Sequence, residues 1–176
     1  MILQQINTKE HNLNFSGAND QGNFALSLGM AKDNGIIIGS SLKRINMNFN
    51  GGLNIGKKLK LTTNISAYNV DQALPYTDPE GGAAGGLMQR FIGVAPTVRY
   101  ENDTSGAMLP GPNDVTLGNP LYWRNLYINN TNQQRFMGGI NLEYSIIPNL
   151  KFLASGSGYY LYTNNNFYTK AYQMGN

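Results

Sequence analysis

An all-β fold of long antiparallel strands follows from three features of this 176-residue sequence. Its side chains alternate with a period of two, its turns are tight and rich in Asn and Gly, and its polarity is carried by amides instead of charges. Alternation marks a strand with two unlike faces, because successive side chains point to opposite sides of a sheet. Charged residues make up only 13% of the chain, against roughly a quarter in ordinary domains, whereas asparagine occurs 25 times and glycine 21 times. The net charge of +3 comes without a basic cluster, the nearest approach being Lys57, Lys58 and Lys60, so no nucleic-acid footprint is expected.

The strands can be taken in order. "HNLNFSGAN" sets Leu13 and Phe15 against Asn12, Asn14 and Ser16. After the turn "NDQG", "NFALSLGMA" sets Phe24, Leu26, Leu28 and Met30 against Ala25, Ser27, Gly29 and Ala31. A connection of about ten residues around "KDNGIIIGSS" leads to "RINMNFNGGLNI", where Ile45, Met47 and Phe49 alternate with Asn46, Asn48 and Asn50. "GKK" turns the chain into "LKLTTNISAY", with Leu59, Leu61, Thr63, Ile65 and Ala67 opposite Lys60, Thr62, Asn64, Ser66 and Tyr68. Beyond a long interval, "RFMGGINLEY" sets Phe136, Ile140, Leu142 and Tyr144 against Met137, Asn141 and Glu143. The link "SIIPN" then enters "LKFLASGSGYYLY", whose phase is less clean.

These six strands run roughly nine to eleven residues, where globular strands usually have five or six and a tilted membrane-crossing strand needs about 9–11. A soluble sheet would carry Lys and Glu on its wet face. Here that face carries Asn, Ser, Gly and Thr, which suits the hydrated interior of a large barrel with its apolar face turned to lipid. Short connections alternate with long ones, as in outer-membrane barrels with tight periplasmic turns and long external loops. The expected fold is therefore an antiparallel transmembrane β-barrel segment, about six strands of a much larger barrel. Residues 1–69 hold four strands, 70–132 one long extracellular loop with a short helix, 133–162 two further strands, and 163–176 the start of another external loop. No run of eighteen apolar residues forms a membrane helix. The start "MILQQINTKEHN" lacks the features of a signal peptide, so the sequence is expected to begin inside a longer product.

The stretch "HNLNFSGANDQGNFALSLGMAKDNGIIIGSSLKRINMNFNGG" resembles a barrel segment of SusC/RagA-type TonB-dependent outer-membrane transporters. The resemblance rests on His11–Asn12, Ser16–Gly17, Phe24 to Gly29, Gly35–Ile36 and Lys43–Arg44, on Asn149–Leu150–Lys151 with a variant at Lys58–Leu59–Lys60, and on Asn119–Pro120. It covers about residues 10 to 160 and is strongest before residue 70. It implies a 22-strand barrel around a plug, working under a SusD-like lipoprotein lid. It also implies import of glycans or peptides, energised through TonB by a region that this sequence lacks. The partners it implies are outer-membrane lipid, the lipoprotein, TonB and the substrate. A fragment of such a wall is expected to transport nothing alone. The alternative is a soluble or surface all-β carbohydrate-binding or adhesin-type module.

No enzyme, cofactor or metal site is legible. His11, the only histidine, reads as a hydrogen-bonding residue of the polar interior, since a metal would need further ligands. Asp78 with Glu80, and Glu101 with Asp103, read as loop residues. "GGAAGG" lacks the Lys-Ser/Thr of a phosphate loop, and "GLMQRFIGVAP" reads as a short helix ended by Pro96. The candidate substrate-binding residues are Tyr122, Trp123, Arg124 and Tyr127 in "NPLYWRNLYINN", an external loop. Aromatic faces beside amide and guanidinium donors suit a sugar, and the same mixture suits an interfacial aromatic girdle.

Overall fold

The computed structural model describes residues 3–75, 91–92 and 119–171. They form one six-stranded antiparallel sheet in the order β1-β2-β3-β4-β5-β6, a meander that is not closed into a barrel. The strands are β1 Asn7–Asn19, β2 Gly22–Asn34, β3 Ser41–Ile55, β4 Leu59–Ala73, β5 Tyr127–Ile147 and β6 Leu150–Thr169. A seven-residue helix, α1 (Pro120–Leu126), leads directly into β5.

The strands are longer than the sequence suggests, at 13 to 21 residues. Pairing continues through polar segments that read locally as turns. Lys32, Asp33 and Asn34 belong to β2 and pair with Lys43, Leu42 and Ser41, which shortens the β2–β3 connection to residues 35–40. That connection is internally bonded. The Gly35 amide donates to the Ser40 carbonyl at 3.0 Å, and the Ser40 hydroxyl and amide both donate to the Ile37 carbonyl. Gly39 sits there at φ +90°. Leu3 bridges to Ile37, and the Gln4 side chain donates to the Gly35 carbonyl at 2.8 Å.

Register sorts the residues into two faces. One rung reads Leu13, Leu28, Met47, Ala67, Phe136 and Tyr160, and the next reads Phe15, Leu26, Phe49, Ile65, Gly138 and Gly158. The opposite face carries Asn14, Ser27, Asn48 and Ser66 in one rung, and Ser16, Ala25, Asn50, Asn64, Gly139 and Ser157 in another. The sequence phase of β1 to β5 is thus the structural phase. His11 is a correction. It shares the apolar face with Leu13, in the rung of Met30 and Ile45, instead of facing the amides. On β6 the phase is mixed because Leu153, Tyr159, Leu161 and Phe167 fall on the amide face.

Among the described residues no layer covers either face. Among the described residues the buried apolar side chains are Ala31 and Leu126, while Phe15 is 53% exposed and Ile140 50%. Two of the turns show why the chain reverses where it does. Asn19 Oδ1 accepts from the amides of Gln21 and Gly22 at 3.0 and 2.8 Å, an Asx turn. Gly56 opens the β3–β4 turn at φ +62°, a left-handed conformation that a side chain disfavours. Pro148 and Asn149 make the third tight turn, between β5 and β6.

A Cβ at Gly56 would have no atom within 4 Å, so Gly56→Ala isolates backbone strain from steric overlap. It should destabilise the sheet by about 1–2 kcal/mol, and Gly56→Asn by less. Urea unfolding followed by far-ultraviolet circular dichroism checks both.

Candidate functional site

The segment holding the sequence candidates is a helix, where a loop was expected. Asn119 caps α1: its Oδ1 accepts from the amides of Leu121 at 3.0 Å and Tyr122 at 3.4 Å, and Pro120 occupies the first turn, where no amide donor is missed. Asn119 is fully buried, as befits a cap with its hydrogen-bonding capacity in use. The Asn-Pro pair was the available sequence signal, outweighed by the aromatic residues that follow.

Tyr122, Trp123 and Arg124 lie on this helix, and the Trp123 side chain falls outside the described residues. Arg124 donates from Nε and Nη2 to Asn125 Oδ1 at 3.1 and 2.7 Å. Its aliphatic stem passes close to Gly39, so α1 reaches the β2–β3 connection. Tyr127 is not a loop residue but the first of β5. Its ring lies 6.3 Å from that of Phe167 on β6, and the Lys170 amide donates to the Leu126 carbonyl at 2.8 Å. The helix therefore stands at the long-connection end of the sheet, tied to β6 behind it.

A second constellation lies on the amide face, and sequence reasoning did not assemble it. Arg135 is opposite Tyr68 in the β4–β5 register. Its guanidinium carbon is 5.8 Å from the Tyr68 ring centre and 5.2 Å from that of Tyr159, within cation–π range of both. The same guanidinium donates to Met137 Sδ. Beside it a groove of ≈ 460 Å³ is lined by Arg44, Asn46, Asn48, Ser66, Tyr68 and Gln133. The Ser66 hydroxyl donates to Asn48 Oδ1 at 2.9 Å. Aromatic faces, amides and guanidinium donors here share one open surface. That chemistry can stack on a sugar ring and hydrogen-bond its hydroxyls.

Toward the tight turns the amide face holds an ion pair, Lys151 Nζ to Glu143 Oε1 at 2.6 Å, in exposed surroundings where such pairs contribute little. Among the described residues no group of three His, Cys, Asp or Glu side chains could hold a metal ion. Asp78, Glu80, Glu101, Asp103 and the "GGAAGG" stretch lie outside the described residues, as does "GLMQRFIGVAP" apart from Phe91 and Ile92, which are helical. No helix among the described residues is long and apolar enough to cross a membrane. Comparison with protein-family models finds no family that matches the chain, and a search of curated proteins finds no match.

Asn119→Ala removes the cap and should cost the helix about 1 kcal/mol. Amide exchange at Leu121 and Tyr122 should accelerate roughly fivefold as a result, measured by mass spectrometry or NMR, with Asn119→Asp close to the parent.

Proposed function

We propose that this chain is a stretch of wall from a TonB-dependent outer-membrane importer of the SusC/RagA type, which takes up glycans or peptides with a SusD-like lipoprotein. The observation that carries the reading is a sheet face of Leu, Ile, Met, Phe and Tyr side chains on which none of the described residues packs. In water a contiguous apolar surface of that kind drives association. In a bilayer it is already in its preferred solvent.

The dimensions agree. On β3 the apolar side runs from Ile45 to Ile55, about 34 Å at a rise of ~3.4 Å per residue. Inclined at about 40°, it stands roughly 26 Å high, close to the ~25 Å apolar band of outer-membrane barrels. The charged residues of that face, Lys9, Lys32, Lys43 and Asp71, all lie beyond the band at one end. The amide face then meets the hydrated interior, where the Arg135–Tyr68–Tyr159 cluster and its groove are within reach of a passing glycan. Both edges, β1 and β6, carry unpaired backbone groups that lipid does not tolerate, so in this reading further strands complete the wall. Tyr122, Arg124 and Tyr127 occupy the outer rim, beneath the lipoprotein.

Because the chain has no cysteine, each introduced thiol is unique. A polarity-sensitive dye at Phe49→Cys should be quenched by brominated lipid in reconstituted vesicles, and the same dye at Asn48→Cys should not. Equal quenching at both, or a chain that stays monodisperse without detergent, sinks the membrane reading and favours the soluble carbohydrate-binding module. In the same vesicles Met47→Arg should cost about 2–4 kcal/mol of folding free energy, with Asn48→Arg near neutral, as read from urea titrations.

A further inference from the structure

The rung that ends the apolar face on the long-connection side reads Lys9, Lys32, Lys43, Asp71, Asn132 and Asn164 across the six strands. Its first three members are lysines directly opposite one another on neighbouring strands. They are far apart in sequence, and only the register gathers them, so the basic cluster missing from the sequence exists in the sheet. Opposed side chains of this kind have Cβ atoms about 5 Å apart, and like charges there repel.

The rung holds one carboxylate against its three lysines: Asp71 stands opposite Lys43, and Lys9 and Lys32 face no acidic residue. Among the described residues none of the three lysines takes part in an ion pair or a side-chain hydrogen bond. Asp71, the next member of the rung, is held instead by the amides of Asn69 at 3.2 Å and Asn132 at 2.5 Å. Glu10 and Asp33, the carboxylates nearest in the chain, belong to the opposite face by alternation. All three lysines are exposed. Three cations in a row against one carboxylate at the end of the row describe a surface suited to an anion.

We propose that this rung docks the phosphate groups of lipid headgroups, with the acyl chains lying on the apolar rungs beneath. The proposal rests on the reading of that face as lipid-facing. Position selects lipid over a free anion. The lysines are on the same side of the sheet as the apolar side chains, one rung beyond His11, Met30 and Ile45, a step of about 7 Å along a strand. Their aliphatic stems can lie along the apolar surface while the ammonium groups reach the phosphate layer. A soluble phosphate would gain nothing from the apolar rungs, whereas a lipid uses both halves of the surface. The same placement orients the wall, with the long-connection end at an anionic leaflet.

Flotation of the full chain with phosphatidylcholine vesicles, with and without bisphosphorylated lipid A, tests the proposal at low salt. The parent should bind both and prefer the anionic vesicles. Lys32→Gln should lose roughly fivefold of that preference, and the variant with Lys9, Lys32 and Lys43 all changed to Gln roughly a hundredfold. Binding to pure phosphatidylcholine should be unaffected, and changing the three lysines to Arg should preserve the preference. Lys60→Gln removes an equal charge from the other face and should leave the lipid preference as it is. Inorganic phosphate at matched ionic strength should not compete. If the triple Gln variant keeps its preference, if Lys60→Gln loses as much as Lys32→Gln, or if free phosphate displaces the vesicles, the lipid site is overturned while the lipid-facing sheet stands. If no form binds phosphatidylcholine, the lipid-facing reading itself fails, and the proposal with it.

Discussion

Because the described residues bury neither face of the sheet, its cohesion comes from the ladder of backbone hydrogen bonds, on which the rest of the described structure depends. Each strand pairs along nearly its whole length with its sequence neighbour, so all pairings are local hairpins or the single return from β4 to β5. In water such a ladder contributes little net free energy, because unpaired strands bond to solvent equally well. In an apolar medium the unpaired alternative is lost, and each broken bond costs several kcal/mol. How much the ladder contributes therefore depends on the medium that meets the two faces.

The ladder also governs what can sit on each face, since opposed residues must share the space between strands. Glycines occur where a neighbour leans over. On the amide face a Cβ at Gly29 would fall 2.6 Å from Asn46 Oδ1 and 2.9 Å from Asn12 Oδ1, and one at Gly139 would fall 2.6 Å from Asn64 Oδ1. On the apolar face the Phe24 ring covers Gly17. Asparagine and glycine are thus coupled. The long amides lie flat over residues without side chains, which keeps the polar face thin and hydrated. Their abundance in the composition is the chemical signature of that packing.

This coupling explains how much was legible beforehand. Faces can be read from a single strand, because alternation is a property of neighbouring residues. Ile45 to Asn50 shows it without any partner. Sites depend on register, which no single strand contains. Arg135, Tyr68 and Tyr159 meet only because β4, β5 and β6 align, although Tyr68 was already placed on the amide face by its phase. Lys9, Lys32 and Lys43 looked scattered for the same reason. Strand ends were misjudged where Lys32 to Asn34 kept pairing despite a turn-like composition. The helix was missed because Tyr122, Trp123 and Tyr127 drew attention to side-chain chemistry, while the decisive residues were the cap Asn119 and Pro120 ahead of them.

The two-faced character itself does not extend along the full strands. Beyond the rung of Met30 and Ile45 the apolar face turns to Lys, Asp and Asn, so that both faces of β5 and β6 become polar, with Asn130 and Asn132 on one side and Asn129 and Thr131 on the other. Past Leu74, whose amide still donates to the Asn129 carbonyl, β5 and β6 run on as a two-stranded ribbon through Ile128–Tyr168 and Tyr127–Thr169. A lone ribbon of that kind is marginal in water, and its tip is where the aromatic contact of Tyr127 with Phe167 and the Lys170–Leu126 bond are found. Those contacts hold the ribbon together and at the same time fix the base of α1. The helix α1 is therefore held by a strand extension and by the approach of Arg124 to Gly39 in the β2–β3 connection.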